Sequence, residues 1–432
     1  MILMSEAVPS GPTAGAGAPR ARAHGMLAGA VGNLLEWYDF AIYGFFATAF
    51  AANFFPEASP TVGLISAFGV FAASFLMRPL GAAMFGHVAD RRGRREALVI
   101  SAAMMTVSTV AVGLLPTYEM AGLLAPLLLL LLRLFQGLAI GGEYMTSAVF
   151  LAENGPPRWR GTFASFATVG CTGGMLAGSA VGAATATLLT QDELLAFGWR
   201  LPFLLGIVLG GFALVLRRGL AETPPRTADT VRAPLEVAFR TQWRGIARAS
   251  AMNFFLGVSF YLVFVYLSTW LQQVDDFPAA LALELNTATM AGVLVLAVAF
   301  AALSDLVGRK WVVGAGFLGF ALFSWPLFEL LRSGDAALAL LGQAGFAVLI
   351  ATGGAMPATI AEMFPRHVRC TAVGISWNLA IGIGGGTAPM VAVMLVAATG
   401  DDMAPAVYLM AAAAVAFLAL LGMPERHAAP LD

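Results

Sequence analysis

Twelve apolar stretches divide the chain, at 26–54, 61–86, 96–116, 120–152, 161–189, 199–217, 245–273, 281–304, 311–331, 336–361, 371–398 and 403–423. Each is long enough for a membrane-crossing helix, which needs ~20 mostly apolar residues. Short polar connections separate them. The exception is 218–244, which carries Arg218, Arg226, Arg232, Arg240 and little apolar pattern and reads as a linker. The expected architecture is therefore all-α and membrane-embedded. It comprises a disordered tail over 1–25, a six-helix unit over 26–217, the linker, a second six-helix unit over 245–424 and a short tail over 425–432.

The stretch 120–152 has two charges inside it, Arg133 and Glu143. Arg133 lies about 20 Å below the first residue, near the bilayer midplane. A lone arginine there costs at least ~2.5–3.5 kcal/mol on insertion scales, so it must face protein or water. At 100° per residue, Gln136, Gly137, Ile140, Glu143 and Tyr144 fall within about 80° of Arg133. The face suits either a structural ion pair or the wall of a polar cavity that holds an anion. In the first stretch Glu36, Asp39 and Tyr43 share a face within about 60°, and two carboxylates there must be protonated, paired or wet. Arg78 precedes Pro79 in the second stretch, where it can reach either the interface or a ligand.

Composition supports this picture. Of the 432 residues, 59% are hydrophobic and 11% charged, and the formal net charge is −1, which argues against a nucleic-acid partner. His24, His87, His367 and His427 have no metal-ligand spacing, and Cys171 and Cys370 sit in different halves. No phosphate-binding GxxxxGK[ST], HExxH or GxSxG occurs, so neither an enzyme nor a resident cofactor or metal is expected. With the N-terminus placed inside, 20 of the 24 Lys and Arg residues fall in inner segments, which predicts that both termini are cytoplasmic.

The chain also repeats itself. GHVADRRGRR at 86–95 and LSDLVGRK at 303–310 place Asp90 and Asp305 215 residues apart, each three residues before a glycine. Glu153 with Arg160, and Glu362 with Arg369, are each seven residues apart and offset by 209. Two matches at nearly one offset predict two parallel six-helix halves.

These D-x-x-G-R-[RK] loops and Glu-to-Arg pairs resemble the major facilitator superfamily. GNLLEWYDFAIYG (32–44), FLMRPLG (75–81), RLFQGLAIGGEY (133–144) and AEMFPRHVR (361–369) resemble its metabolite:proton symporter group, which includes α-ketoglutarate permease and related carboxylate carriers. The resemblance implies a transporter of the bacterial inner membrane, acting as a monomer on a small-molecule substrate and a proton, in contact with membrane lipid. The expected function is proton-coupled symport of a di- or tricarboxylate. A carrier of betaine, proline or another monocarboxylate is the alternative, and a receptor or enzyme the remaining class. Expected substrate contacts are Arg133, Gln136, Tyr43, Arg78, Tyr261, Tyr266, Trp377 and Asn378. Expected proton carriers are Glu36, Asp39 and Glu143. The resemblance further implies a cytoplasmic latch of Gly86, Asp90, Arg91, Gly93, Arg94, Glu153 and Arg160, with Asp305, Arg309, Glu362 and Arg369 as its weaker copy.

Overall fold

A computed structural model describes residues 34–92, 94–140, 148–149, 151–153, 155–219, 234–366, 368–427 and 429. In lipid each backbone N–H and C=O must be satisfied within its own segment, and the apolar stretches accordingly form helices. Among the described residues ten are long and apolar enough to cross a membrane, and two further helical segments complete the twelve-helix architecture.

We number them α1 (34–54, turning at Phe46), α2 (60–92) and α3 (Arg94–Gly113). Next come α4 (Leu124–Ala139), α5 (Arg160–Leu188) and α6 (Arg200–Arg218). The second half holds α7 (234–274), α8 (Ala279–Val307), α9 (Arg309–Leu331), α10 (336–362), α11 (369–399) and α12 (Ala404–Leu421).

Two boundaries differ from expectation. Residues 86–92, expected as a tight loop, are helical: α2 consists of Pro60–Leu76 and, past a turn at Met77, Arg78–Arg92. Its glycine at 86 does not end the helix, and Gly93 lies outside the described residues. Helix α4 is described over Leu124–Ala139, helix is present again at 148–149 and 151–153, and Glu143 lies outside the described residues. The linker region contributes helix from Pro234 onward, kinked at Gln242 (φ −121°, ψ 15°).

The halves meet most extensively through α5 against α8 and α2 against α11, with α10 also packed on α5. Helices 2 and 8 occupy equivalent places in the two halves, as do 5 and 11, so the two contacts are related by the internal repeat. Close approach depends on small residues. A Cβ on Gly386 of α11 would lie 2.7 Å from the Phe75 ring of α2. Within the first half, Gly137 of α4 rides directly over the Ser74 carbonyl of α2.

Two helices of the second half carry single π-helical turns, Leu262–Tyr266 in α7 and Ile381–Gly385 in α11. Such turns insert a residue into the i→i−4 ladder and frequently mark functional sites. Here they flank one another: a Cβ on Gly385 would stand 2.8 Å from Tyr261 and 3.3 Å from the Gly257 Cα.

Candidate functional site

The first half contains a fully buried polar cluster. Arg133 Nη1 donates to Asp39 Oδ2 at 2.6 Å and to Gln136 Oε1 at 2.7 Å. Thr109 Oγ1 and Gln136 Nε2 donate to Asp39 Oδ1 at 2.7 and 2.8 Å. The far side of the guanidinium is covered by rings, with its carbon 4.2 Å from the Tyr43 centroid and 4.9 Å from that of Phe40. Arg133, Asp39 and Gln136 have no exposed surface. The carboxylate here accepts from three side chains, whereas Arg133 Nε and Nη2 are buried without a hydrogen-bond partner, as are the same two atoms of Arg78.

A second, looser pair lies one helical turn away on α1. Arg78 Nη2 stands 4.0 Å from Glu36 Oε1, and its guanidinium carbon lies 4.2, 4.8 and 5.8 Å from the Phe75, Phe40 and Trp37 rings. Arg78 Nε and Nη2 are buried and make no hydrogen bond, so this arginine retains unused donors. Glu36 also borders a small crevice with Ser101, Ala139 and Arg217.

Between the halves is a narrow cavity of about 40 Å³ lined by Trp37, Phe260, Tyr261 and Trp377, with Cys171 and Thr172 from α5. Trp37 and Tyr261 stack at 6.4 Å, and Tyr261 meets Phe75 edge-on at 5.4 Å, which links the cavity wall to the ring beneath Arg78.

Of the expected substrate contacts, Tyr261 and Trp377 line this cavity and Arg78 adjoins it. Arg133 and Gln136 do not, because Asp39 engages both. The Tyr43 hydroxyl donates to the Ala67 carbonyl at 3.0 Å. Tyr266 packs edge-on against Phe68, and Asn378 Nδ2 donates to the Gly374 carbonyl of its own helix. Sequence reasoning did not single out Trp37, Phe260, Thr109 or Cys171. Trp37 stands beside Glu36 in the quoted motif and was the one residue of the set with a visible signal.

At the end that the arginine distribution assigns to the cytoplasm, two ion pairs cross between the halves. Arg160 Nη1 reaches Glu362 Oε1 at 3.0 Å, and Arg369 Nη1 reaches Glu153 Oε1 at 2.5 Å. Each arginine thus pairs with the other half's glutamate. Asp305 accepts from Gly161 N and Thr162 N, both at 2.8 Å, capping α5 from across the boundary. It also pairs with Arg309, whose guanidinium reaches Glu362 at 3.2 Å. The side chains of Asp90, Arg91 and Arg94 lie outside the described residues.

Two six-helix halves around a buried aromatic cavity, joined at one end by crossed ion pairs, define a membrane carrier of the major facilitator fold. The chain belongs to the sugar (and other) transporter family, whose model matches residues 25–226 and 235–432. It is 36% identical over 404–421 residues to curated relatives, among them the glycine betaine/proline/ectoine/pipecolic acid transporter OusA of Dickeya dadantii, with 94% of this chain and 84% of that protein covered. The proline/betaine transporter of Salmonella typhimurium is 33% identical, with the same shares covered. Among solved structures, a D-xylose-proton symporter superposes with a TM-score of 0.76 at 21% identity, covering 93% of this chain and 97% of that one.

Proposed function

We propose that the chain is a proton-coupled carrier of a small zwitterionic solute of the betaine or proline kind, working by alternating access. The observation that carries this reading is the aromatic cavity beside an arginine with unused donors. A quaternary or secondary ammonium is attracted to the faces of Trp and Tyr, and Trp37, Tyr261 and Trp377 offer them. The carboxylate at the other end of the same solute takes Arg78. The curated relatives that transport betaine and proline support this alternative over the di- or tricarboxylate expected at first. The electrostatics agree: a dianion needs two cationic partners, and Asp39 already neutralises Arg133.

Proton coupling follows from the Glu36–Arg78 pair. Protonation of Glu36 removes the counter-charge of Arg78 and leaves the guanidinium to the substrate carboxylate, so proton and solute load together. Loss of the proton toward the crevice restores the pair and displaces the solute. The crossed pairs serve as a latch that must part for release on the cytoplasmic side.

The test is uptake into proteoliposomes under an imposed pH gradient, with labelled betaine, proline, α-ketoglutarate and citrate. Accumulation of betaine or proline is expected. Glu36→Gln should lose gradient-driven accumulation while keeping solute exchange. Saturable uptake of a dicarboxylate with neither zwitterion bound nor carried would overturn the reading.

A further inference from the structure

Around the Gln242 kink, the α7 extension, the end of α10 and the segment following α12 line a second, half-open cavity of about 410 Å³. Arg240, Arg244, Arg248 and Arg426 stand in its wall together with Glu362. Arg244 and Arg248, one helical turn apart beyond the kink, and Arg426 from the segment after α12 give this wall a concentration of positive charge. The Glu362 carboxylate in the same wall is engaged by Arg160 and Arg309. Arg248 is seated against the bundle: a Cβ on Gly422 would lie 2.9 Å from its Nη2. Along the same extension Phe239 and Trp243, four residues apart, are 47% and 57% exposed, and the Arg244 guanidinium lies 5.3 Å from the Trp243 ring. Exposed aromatics beside clustered arginines have the chemistry of a segment lying at a lipid–water boundary.

We propose that this cavity binds a phosphate anion, supplied by the headgroup of an anionic phospholipid whose acyl chains lie against Phe239 and Trp243. Arg244, Arg248 and Arg426 hold the phosphate oxygens by charge-assisted hydrogen bonds. Because Glu362 shares the wall, the anion is held best while Arg160 neutralises that carboxylate. By linkage, occupancy therefore favours the crossed ion pairs.

The experiment is native mass spectrometry of the purified full chain with phosphatidylglycerol, with phosphatidylethanolamine as the zwitterionic control. Wild type should retain phosphatidylglycerol selectively. The double variant R244Q/R248Q, with both side chains exposed in the fold, should bind it about 30-fold more weakly, at the usual worth of an arginine near an anionic headgroup. R426Q, on a different element, should weaken binding in the same sense. Equal retention by wild type and R244Q/R248Q would overturn the site. Inorganic phosphate alone is the second arm. Tight phosphate binding to wild type that phosphatidylglycerol cannot displace would overturn the lipid as its source and leave a soluble phosphate as occupant.

Discussion

Glu362→Gln should shift the carrier toward the state open at the ion-pair end. The carboxylate accepts from Arg160 of the first half at 3.0 Å and from Arg309 of its own half at 3.2 Å. Removing one partner of a buried pair typically costs ~3–5 kcal/mol. The Arg309 contact lies within one half and is lost in both states, so it does not bias them. Only the Arg160 contact crosses, and assigning it about half of the cost gives ~2 kcal/mol, a shift of roughly 30-fold in the equilibrium. The fold should survive, because Arg309 keeps Asp305 at 2.6 Å and the Arg369–Glu153 pair still joins the halves. The molecule carries its own reporter. Cys171 lines the central cavity and is buried, whereas Cys370 is exposed. In a Cys370→Ser background, a charged maleimide should therefore alkylate Cys171 up to about 30-fold faster in Glu362→Gln than in the parent. An unchanged rate, in protein with an unaltered thermal midpoint, would refute the assignment of this contact to the gate.

Other substitutions probe different links in the argument. Asp39→Asn strands the Arg133 charge and should lower stability by ~3–5 kcal/mol, read from thermal unfolding in detergent; combining it with Arg133→Gln should recover part of that loss. Gly137→Val drives a side chain into the Ser74 carbonyl, and overpacking of this kind costs ~1–3 kcal/mol or more, visible as a lower midpoint or failed insertion. Glu425, beyond the end of α12, is pushed up by partial burial. Hydrogen bonds from the backbone N–H groups of Lys310 and His427 outweigh that effect and hold its carboxyl below the usual range. A depressed carboxyl contributes stability above its ordinary value and loses it as pH falls through the lowered one. Protease cleavage after α12 should accordingly rise on acidification below about pH 4, and Glu425→Gln should abolish that dependence.

The twelve helices and the two halves were legible because lipid imposes one pattern, a long apolar run, on each crossing segment. The internal repeat was legible because charges are scarce in this chain, so acids and arginines recurring at one offset near helix ends stand out. Partners across space were not. Arg133 shares a helix face with Gln136, and nothing in that spacing reveals that Asp39, 94 residues earlier, closes the circuit. The repeat located both Glu–Arg pairs but could not reveal that they cross between the halves. The π-helical turn at Ile381–Gly385 falls within a glycine-rich run that reads equally well as plain helix. At 86–92, charges and a glycine resemble a loop, yet the segment remains helical as the continuation of α2.

The sealed Asp39–Arg133 pair has an electrical consequence. Its opposite charges lie 2.6 Å apart within a single half, and they travel together whenever that half tilts. They therefore displace no net charge through the membrane field. A proton loaded on Glu36 is different: it leaves the Glu36–Arg78 site with one uncompensated positive charge, which a zwitterion does not cancel. Under the proposed coupling each turnover is thus electrogenic by one charge per proton. Its inward step gains ~2.3 kcal/mol for every 100 mV of inside-negative potential. A dicarboxylate entering with one proton would carry net negative charge, and the same potential would oppose it. The sign of the current under a potassium-diffusion potential thus reports which solute this cavity takes.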